Sequence, residues 1–228
     1  MTLEIQVGEI QTGGWGWTEA GGWDHEVNRR LGLLEDACKL HWDIDDAGGT
    51  ATNQHGRTVT LRPFMGVMGM PPSEPGRHPT SPPRPTGGNI DCKELVAGTS
   101  LFLPVAVASG LFSTGDGHAA QGDGEVSEAA IECPIERCDL TFVLHPKLKI
   151  STPRARTTYG WLTLGFHEDL NEAMFLALDA MLDLMGEQFG MRRSEALAMA
   201  GIAVDLRITQ IVNGVKGVHA ILPDDAIR

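Results

Sequence analysis

The sequence predicts a mainly β protein of the α+β class, an antiparallel sandwich or barrel closed by a C-terminal helix-helix-hairpin element. Three observations predict it. Short stretches alternate apolar and polar residues with period two, starting at residue 3. Gly and Pro turns separate them at close intervals, as in antiparallel sheets. Helical periodicity is confined to the last third of the chain.

Residues 3–10, Leu-Glu-Ile-Gln-Val-Gly-Glu-Ile, read as a half-buried strand that needs a partner elsewhere. Residues 12–24 hold Trp15, Trp17 and Trp23 among five glycines and read as a loop packed by aromatics, and 26–46 shows no sustained period. Strand pattern returns at 58–70, where Pro63 marks an edge or bulge. Seven of the thirteen prolines fall between Pro71 and Pro85, which excludes regular helix or central strand there. Three further strands are expected at 100–107, 125–133 and 139–148.

From Asp169 to Phe189 the residues Leu170, Ala173, Met174, Ala177, Leu178, Met181 and Met185 follow helical spacing. Asp169 with Glu172 resembles a capping box, and Gly190 suits the stop. A shorter helix is expected at 194–200, then strands at 204–212 and 215–222 around the hairpin signal Asn213-Gly214. One domain over 1–228 is expected: a first β part at 1–70, a Pro-rich loop at 71–86, a site-bearing β part at 87–150 and an α/β part at 151–228.

Lys and Arg total 18 against 30 Asp and Glu, a formal charge of −12, so nucleic acid and anionic membrane are excluded as expected partners. With 42% hydrophobic and 21% charged residues the chain has the balance of a folded domain. No apolar run reaches the roughly 20 residues of a membrane span, and no signal peptide opens the chain, which predicts a cytoplasmic protein. The four cysteines lack CxxC spacing and read as free thiols.

Chemistry concentrates in Gly87-Gly88-Asn89-Ile90-Asp91 and in Gly115-Asp116-Gly117-His118-Ala119-Ala120-Gln121-Gly122-Asp123-Gly124-Glu125. Asp116 and His118 are two apart, so an extended backbone turns both to one face and offers the O and N donors that Zn²⁺ accepts. Asp91 is the candidate third metal ligand, and Glu125 the candidate general base. Gly88, Asn89, Gln121 and Asp123 are the candidate substrate-binding residues, the neutral amides matching an amide through donor and acceptor. Backbone N–H groups at Gly88 or Gly117 could receive a developing oxyanion.

Rival readings stay open on these residues. Gly-Asp-Gly also suits a plain turn. Asp116 and Asp123 could serve Ca²⁺, although Ala120 breaks the EF-hand pattern. Cys92-Lys93-Glu94 could supply a nucleophile, against which a buried thiol is the simpler account. His145, His167 and His219 read as isolated surface or hydrogen-bonded side chains.

Residues 85–91, then Leu103-Pro104-Val105, then the run from Leu111 to Glu125 resemble the acetamidase/formamidase family. The likeness extends to Phe64-Met65-Gly66-Val67-Met68-Gly69, to 205–210 and to 217–220. It implies a jelly-roll-like β-sandwich with added α/β elements, acting as a hydrolase on the C–N bond of short linear amides such as formamide or acetamide. It also implies a homo-oligomer and a divalent metal, with zinc preferred and calcium the alternative. Members carry a further N-terminal region of several tens of residues before the strand that starts here at Leu3. Its absence motivates the alternative of a non-catalytic relative that binds a small molecule or metal, and would expose an edge at residues 3–10. A third reading keeps the enzyme but gives it a larger or cyclic amide, entering under the Pro-rich loop.

Overall fold

The computed structural model describes residues 1–228. In chain order the elements are β1 (Thr2–Thr12), β2 (Trp15–Ala20), α1 (Glu26–Leu31), β3 (Cys38–Asp45), β4 (Thr50–Asn53), β5 (Thr58–Thr60) and β6 (Phe64–Gly69). There follow β7 (Gly87–Asn89), β8 (Ser100–Pro104), β9 (Ser113–His118), β10 (Ile135–His145), β11 (Arg154–Arg156) and β12 (Gly160–His167). The chain ends with α2 (Leu170–Phe189), α3 (Arg193–Ala203), β13 (Asp205–Gln210) and β14 (Lys216–Pro223).

The expected mainly β, antiparallel class with late helices is what forms. A seven-stranded sheet runs β10-β1-β8-β11-β12-β14-β13, a four-stranded sheet runs β2-β3-β4-β5, and a three-stranded sheet runs β7-β6-β9. The main core lies where the large sheet faces the three-stranded one: Ile5 and Val7 from β1 and Leu101 and Leu103 from β8 meet Met65 and Met68 from β6. β1 sits inside the large sheet, between β8 and β10, so the exposed edge considered for it falls on β10 instead.

On the other face of the large sheet, Val218, Ala220 and Leu222 of β14 pack against Ala177, Met181 and Met185 of α2 and Ala196 and Ala200 of α3. Each large apolar side chain buried there contributes about 1.5–3 kcal/mol. Gly165 permits the approach of α2, since a Cβ there would lie 2.2 Å from the Ala173 carbonyl oxygen. Asp169 caps α2 by accepting from the amides of Asn171 and Glu172, and Gly190 closes it at φ 68°.

Three expectations are corrected. The loop at 12–24 contains β2, whose residues pair with β3 in the register Trp17 to His41. The strand expected at 125–133 does not form, because Glu125 and Glu128 have φ of 44° and 68° and the segment turns. The polar run at 115–125, expected to be extended at Asp116 and His118, does begin as a strand, β9, which pairs with β6. The Asn213-Gly214 turn is wider than two residues, with β13 ending at Gln210 and β14 starting at Lys216. No helix is long and apolar enough to cross a membrane.

Candidate active site

The site gathers on β9 and on the loops after β7, β9 and β13. His118 ends β9, 1% exposed, with the ring of Phe64 packed edge-on at 5.0 Å. Its Nε2 lies 3.4 Å from Asp116 Oδ2 and 3.2 Å from Glu132 Oε2. Asp91, Asp116 and His118 each place a donor atom within 4.8 Å of the others, and His118, Glu125 and Glu132 form a second such group.

Gln121 fixes which ring nitrogen faces the carboxylates. Its Nε2 donates to the Asp91 backbone carbonyl at 2.7 Å, and that carbonyl can only accept. The amide oxygen is therefore the end turned on His118, 3.1 Å from Nδ1. Nδ1 carries the proton of this bond, and Nε2 is the atom presented to the acidic groups.

Backbone strain is concentrated here. Asp91, Asp116 and Glu125 have φ of 51°, 62° and 44°, half of the six non-glycine residues with positive φ. Each such residue costs on the order of 1–3 kcal/mol and persists where the surroundings hold it in place. Asp91 Oδ1 and Glu125 Oε2 are buried with no N–H or hydroxyl donor, and the Asp91 and Glu125 carboxyls are hydrogen-bond partners of each other when one is protonated.

Gly66 on β6 supplies the room. A Cβ there would lie 2.5 Å from Asp116 Oδ2, 2.7 Å from Asp91 Oδ1 and 2.9 Å from His118 Cε1. No Lys or Arg pairs with Asp91, Asp116, Glu125 or Glu132; the ion-pair partner of Asp116 and Glu132 is His118. Burial lifts Asp91 to about 6 against the pull of His118, with Asp116 adding to the rise. Burial first, then the Asp91 charge, lifts Glu125 to about 9. Burial opposes a charge on His118, but Asp116 and Glu132 outweigh it and push the ring to about 11.

These residues fit a divalent metal. The donor set is one imidazole with carboxylates, an Asp91 oxygen without an N–H or hydroxyl donor lies beside Gly66, and the negative charge has no Lys or Arg to offset it. The carboxylates already draw a proton onto His118, and a divalent cation answers the same charge while releasing such protons on binding.

A second cluster differs in charge. Glu94, Asp123 and His219 also lie within 4.8 Å of one another, but Arg62 pairs with Glu94 at 2.9 Å and Lys93 with Asp123 at 3.0 Å. Arg207 approaches both carboxylates, at 3.5 and 4.0 Å. Two carboxylates thus meet three cations, and no metal is needed to balance them.

Of the residues singled out in the sequence, Asp91, Asp116, His118 and Glu125 come together, and Gln121 joins them through its two protein hydrogen bonds. Gly88 and Asn89 lie on β7 opposite Met68 and Val67, with Asn89 Oδ1 buried and unpartnered. Asp123 lies in the second cluster, bound to Lys93. Cys92 is fully buried, and burial pushes its thiol to about 12, which makes it inert.

Glu132, Gly66 and Asn213 were not foreseen as site residues. Glu132 reaches His118 through isolated bridges to Trp17 and His118, a tertiary pairing without a local signal. Asn213 donates from Nδ2 to Asp91 Oδ2 at 2.6 Å. Its Asn-Gly signal foretold a turn and nothing of what the turn touches.

The sequence model of the Acetamidase/Formamidase family matches residues 76–140. A formamidase of Methylophilus methylotrophus is 50% identical over 48 residues, and an acetamidase of Mycolicibacterium smegmatis 48% over 48 residues. Each alignment covers 21% of this chain and 12% of the relative's length. The crystal structure of a predicted acetamidase/formamidase from Thermoanaerobacter tengcongensis superposes with TM-score 0.88 at 25% identity, over 98% of this chain and 72% of the other. An acetamidase from Bacillus halodurans gives TM-score 0.88 at 27% identity, over 97% and 73%. The chain is thus similar to the acetamidase/formamidase family in sequence over residues 76–140 and in fold over nearly its whole length.

The segment matched by the family model, 76–140, carries Asp91, Asp116, His118, Gln121, Glu125 and Glu132. Gly66 and Asn213 reach the same site from outside it.

Proposed function

We propose that the protein hydrolyses the C–N bond of short linear amides of the formamide or acetamide type, with a divalent metal, zinc by preference, held by Asp91, Asp116 and His118. The observation that carries the reading is the convergence of these three side chains on the space beside Gly66, without a Lys or Arg partner. A nitrogen donor among carboxylates suits zinc better than calcium, which takes oxygen ligands alone. When bound, the ion supplies Lewis acidity at the amide carbonyl and makes water a competent nucleophile near neutral pH.

In the overall reaction water adds to the carbonyl carbon, the C–N bond breaks, and the nitrogen leaves as ammonia after gaining a proton. Glu125 is the proton carrier: buried beside Asp91, its carboxyl is held near 9 and can deliver a proton to the departing nitrogen at neutral pH. Gln121 positions the His118 ring, which leaves Gly88 and Asn89 as the groups for the substrate amide. Asn89 Oδ1, buried and unpartnered, is an acceptor suited to an amide N–H.

The test is ammonia release from formamide and acetamide by the purified chain, as prepared and after chelation. Release that chelation abolishes and added zinc restores supports the reading. Release indifferent to chelation removes the metal from it, and no release from a folded, zinc-loaded protein replaces it with a binding function.

A further inference from the structure

Asp91 has two carboxylate oxygens in different circumstances. Oδ1 is buried with no N–H or hydroxyl donor and lies beside Gly66, 2.7 Å from where a Cβ would stand. Oδ2 accepts from Asn213 Nδ2 at 2.6 Å, across 122 residues of chain. A donor on one oxygen fixes the rotation of the carboxylate and so decides which lone pairs face the donor cluster.

Asn213 is itself held by the loop that carries it. Gln210, fully buried at the end of β13, accepts from the amides of Val212 at 2.9 Å and Asn213 at 3.2 Å, and donates to the Val215 carbonyl at 2.7 Å. The same loop is tied to the segment bearing Glu125: Gly124 donates to the Thr209 carbonyl, and Ile211 donates to the Gly124 carbonyl, both at 3.1 Å. The loop therefore keeps its shape by bonds other than the one from Asn213 to Asp91.

Asn213 completes a pair with Gln121. Gln121 grips the Asp91 backbone carbonyl and the His118 ring, while Asn213 grips the Asp91 side chain. Two of the three metal-ligand side chains thus have an uncharged amide partner setting the atom they present, a neutral group that adds no competing charge.

We infer that Asn213 is a positioning residue of the metal centre, its Nδ2–H···Oδ2 bond turning Asp91 Oδ1 toward the ion. The inference rests on the metal reading above. The test is calorimetric titration of the chelator-stripped full chain with Zn²⁺, comparing wild type with Asn213→Ala and Asn213→Asp. The second variant keeps the shape and replaces the donor with an acceptor.

Both variants bind Zn²⁺ about 10- to 100-fold more weakly, the range for losing such an outer partner of a ligand. Metal-stripped Asn213→Ala melts within about 2 °C of wild type, the change expected of a minor stability effect in a chain of this size. A large drop in melting with affinity within about twofold of wild type would make Asn213 a structural residue and overturn the inference. Zinc binding by wild type and both variants alike overturns the inference and leaves the metal reading standing. Wild type that binds no zinc removes both.

Discussion

Gly66 stands so close to Asp116 that a Cβ on it would lie 2.5 Å from Asp116 Oδ2. The strand β6 passes the acidic cluster without a side chain, and the three proposed ligands converge on the space so left. Gly66 is not among the residues with positive φ, so alanine there meets a crowded neighbourhood rather than a forbidden backbone. Gly66→Ala therefore folds but weakens Zn²⁺ binding by about 5- to 150-fold, the equivalent of roughly 1–3 kcal/mol of overpacking. Competition with a chromophoric chelator measures it, and native affinity in the variant would remove Gly66 from the account.

His118 is the nitrogen donor of the set, and its Nε2 is the atom that Asp116 and Glu132 approach. His118→Ala loses bound zinc and ammonia release together, while near-UV and far-UV circular dichroism stay those of a folded chain. Zinc stoichiometry retained in the variant would show that the ion sits elsewhere.

Glu125 lies among the same groups, and its carboxyl is held near 9 by burial and by Asp91. Glu125→Gln keeps the size of the side chain and removes the transferable proton. Turnover falls by about two to four orders of magnitude, the span of general acid–base effects, with zinc content unchanged. Turnover close to wild type in steady-state assays would assign proton transfer to another group.

What the sequence disclosed was what local chemistry decides. The apolar stripe of α2, its Asp169 cap and its Gly190 stop are all local, and all three stand in the structure. The spacing of Asp116 and His118 foretold that they meet, at 3.4 Å on β9, but not the left-handed backbone of Asp116, φ 62°, that interrupts the extended strand there. The same alternation failed four residues later, where Gly122 and Gly124 turn the chain and send Asp123 to Lys93 while Glu125 goes to the site. β2 was hidden because Trp15-Gly16-Trp17 gains strand form only by pairing with β3. Gly66, Glu132 and Asn213 come from three distant segments, and only the packing of the sheets makes neighbours of them.

His219 predicts how stability varies with pH. It lies fully buried on β14, with Nδ1 2.8 Å from Thr209 Oγ1 and Nε2 without a partner. Burial pulls its pKa from 6.5 down to about 4, against the attraction of Asp123 and Glu94 and with Arg207 and Lys93 resisting a further charge. Between those values the unfolded chain binds a proton that the folded chain refuses, so the unfolded state holds more protons and stability rises with pH. The contribution is complete above about 6.5 and is lost as pH falls toward 4, at up to about 1.4 kcal/mol per pH unit. Asp91 and Glu125, whose raised values act in the opposite direction, are common to wild type and the His219→Gln variant, so the His219 contribution is read as the difference between the urea midpoints of the two proteins from pH 4.5 to 7.5. His219→Gln lacks the titrating ring and should lose the part of the slope due to one proton, although it is less stable at pH 7.5. Equal slopes in the two proteins would place the acid sensitivity on groups other than His219.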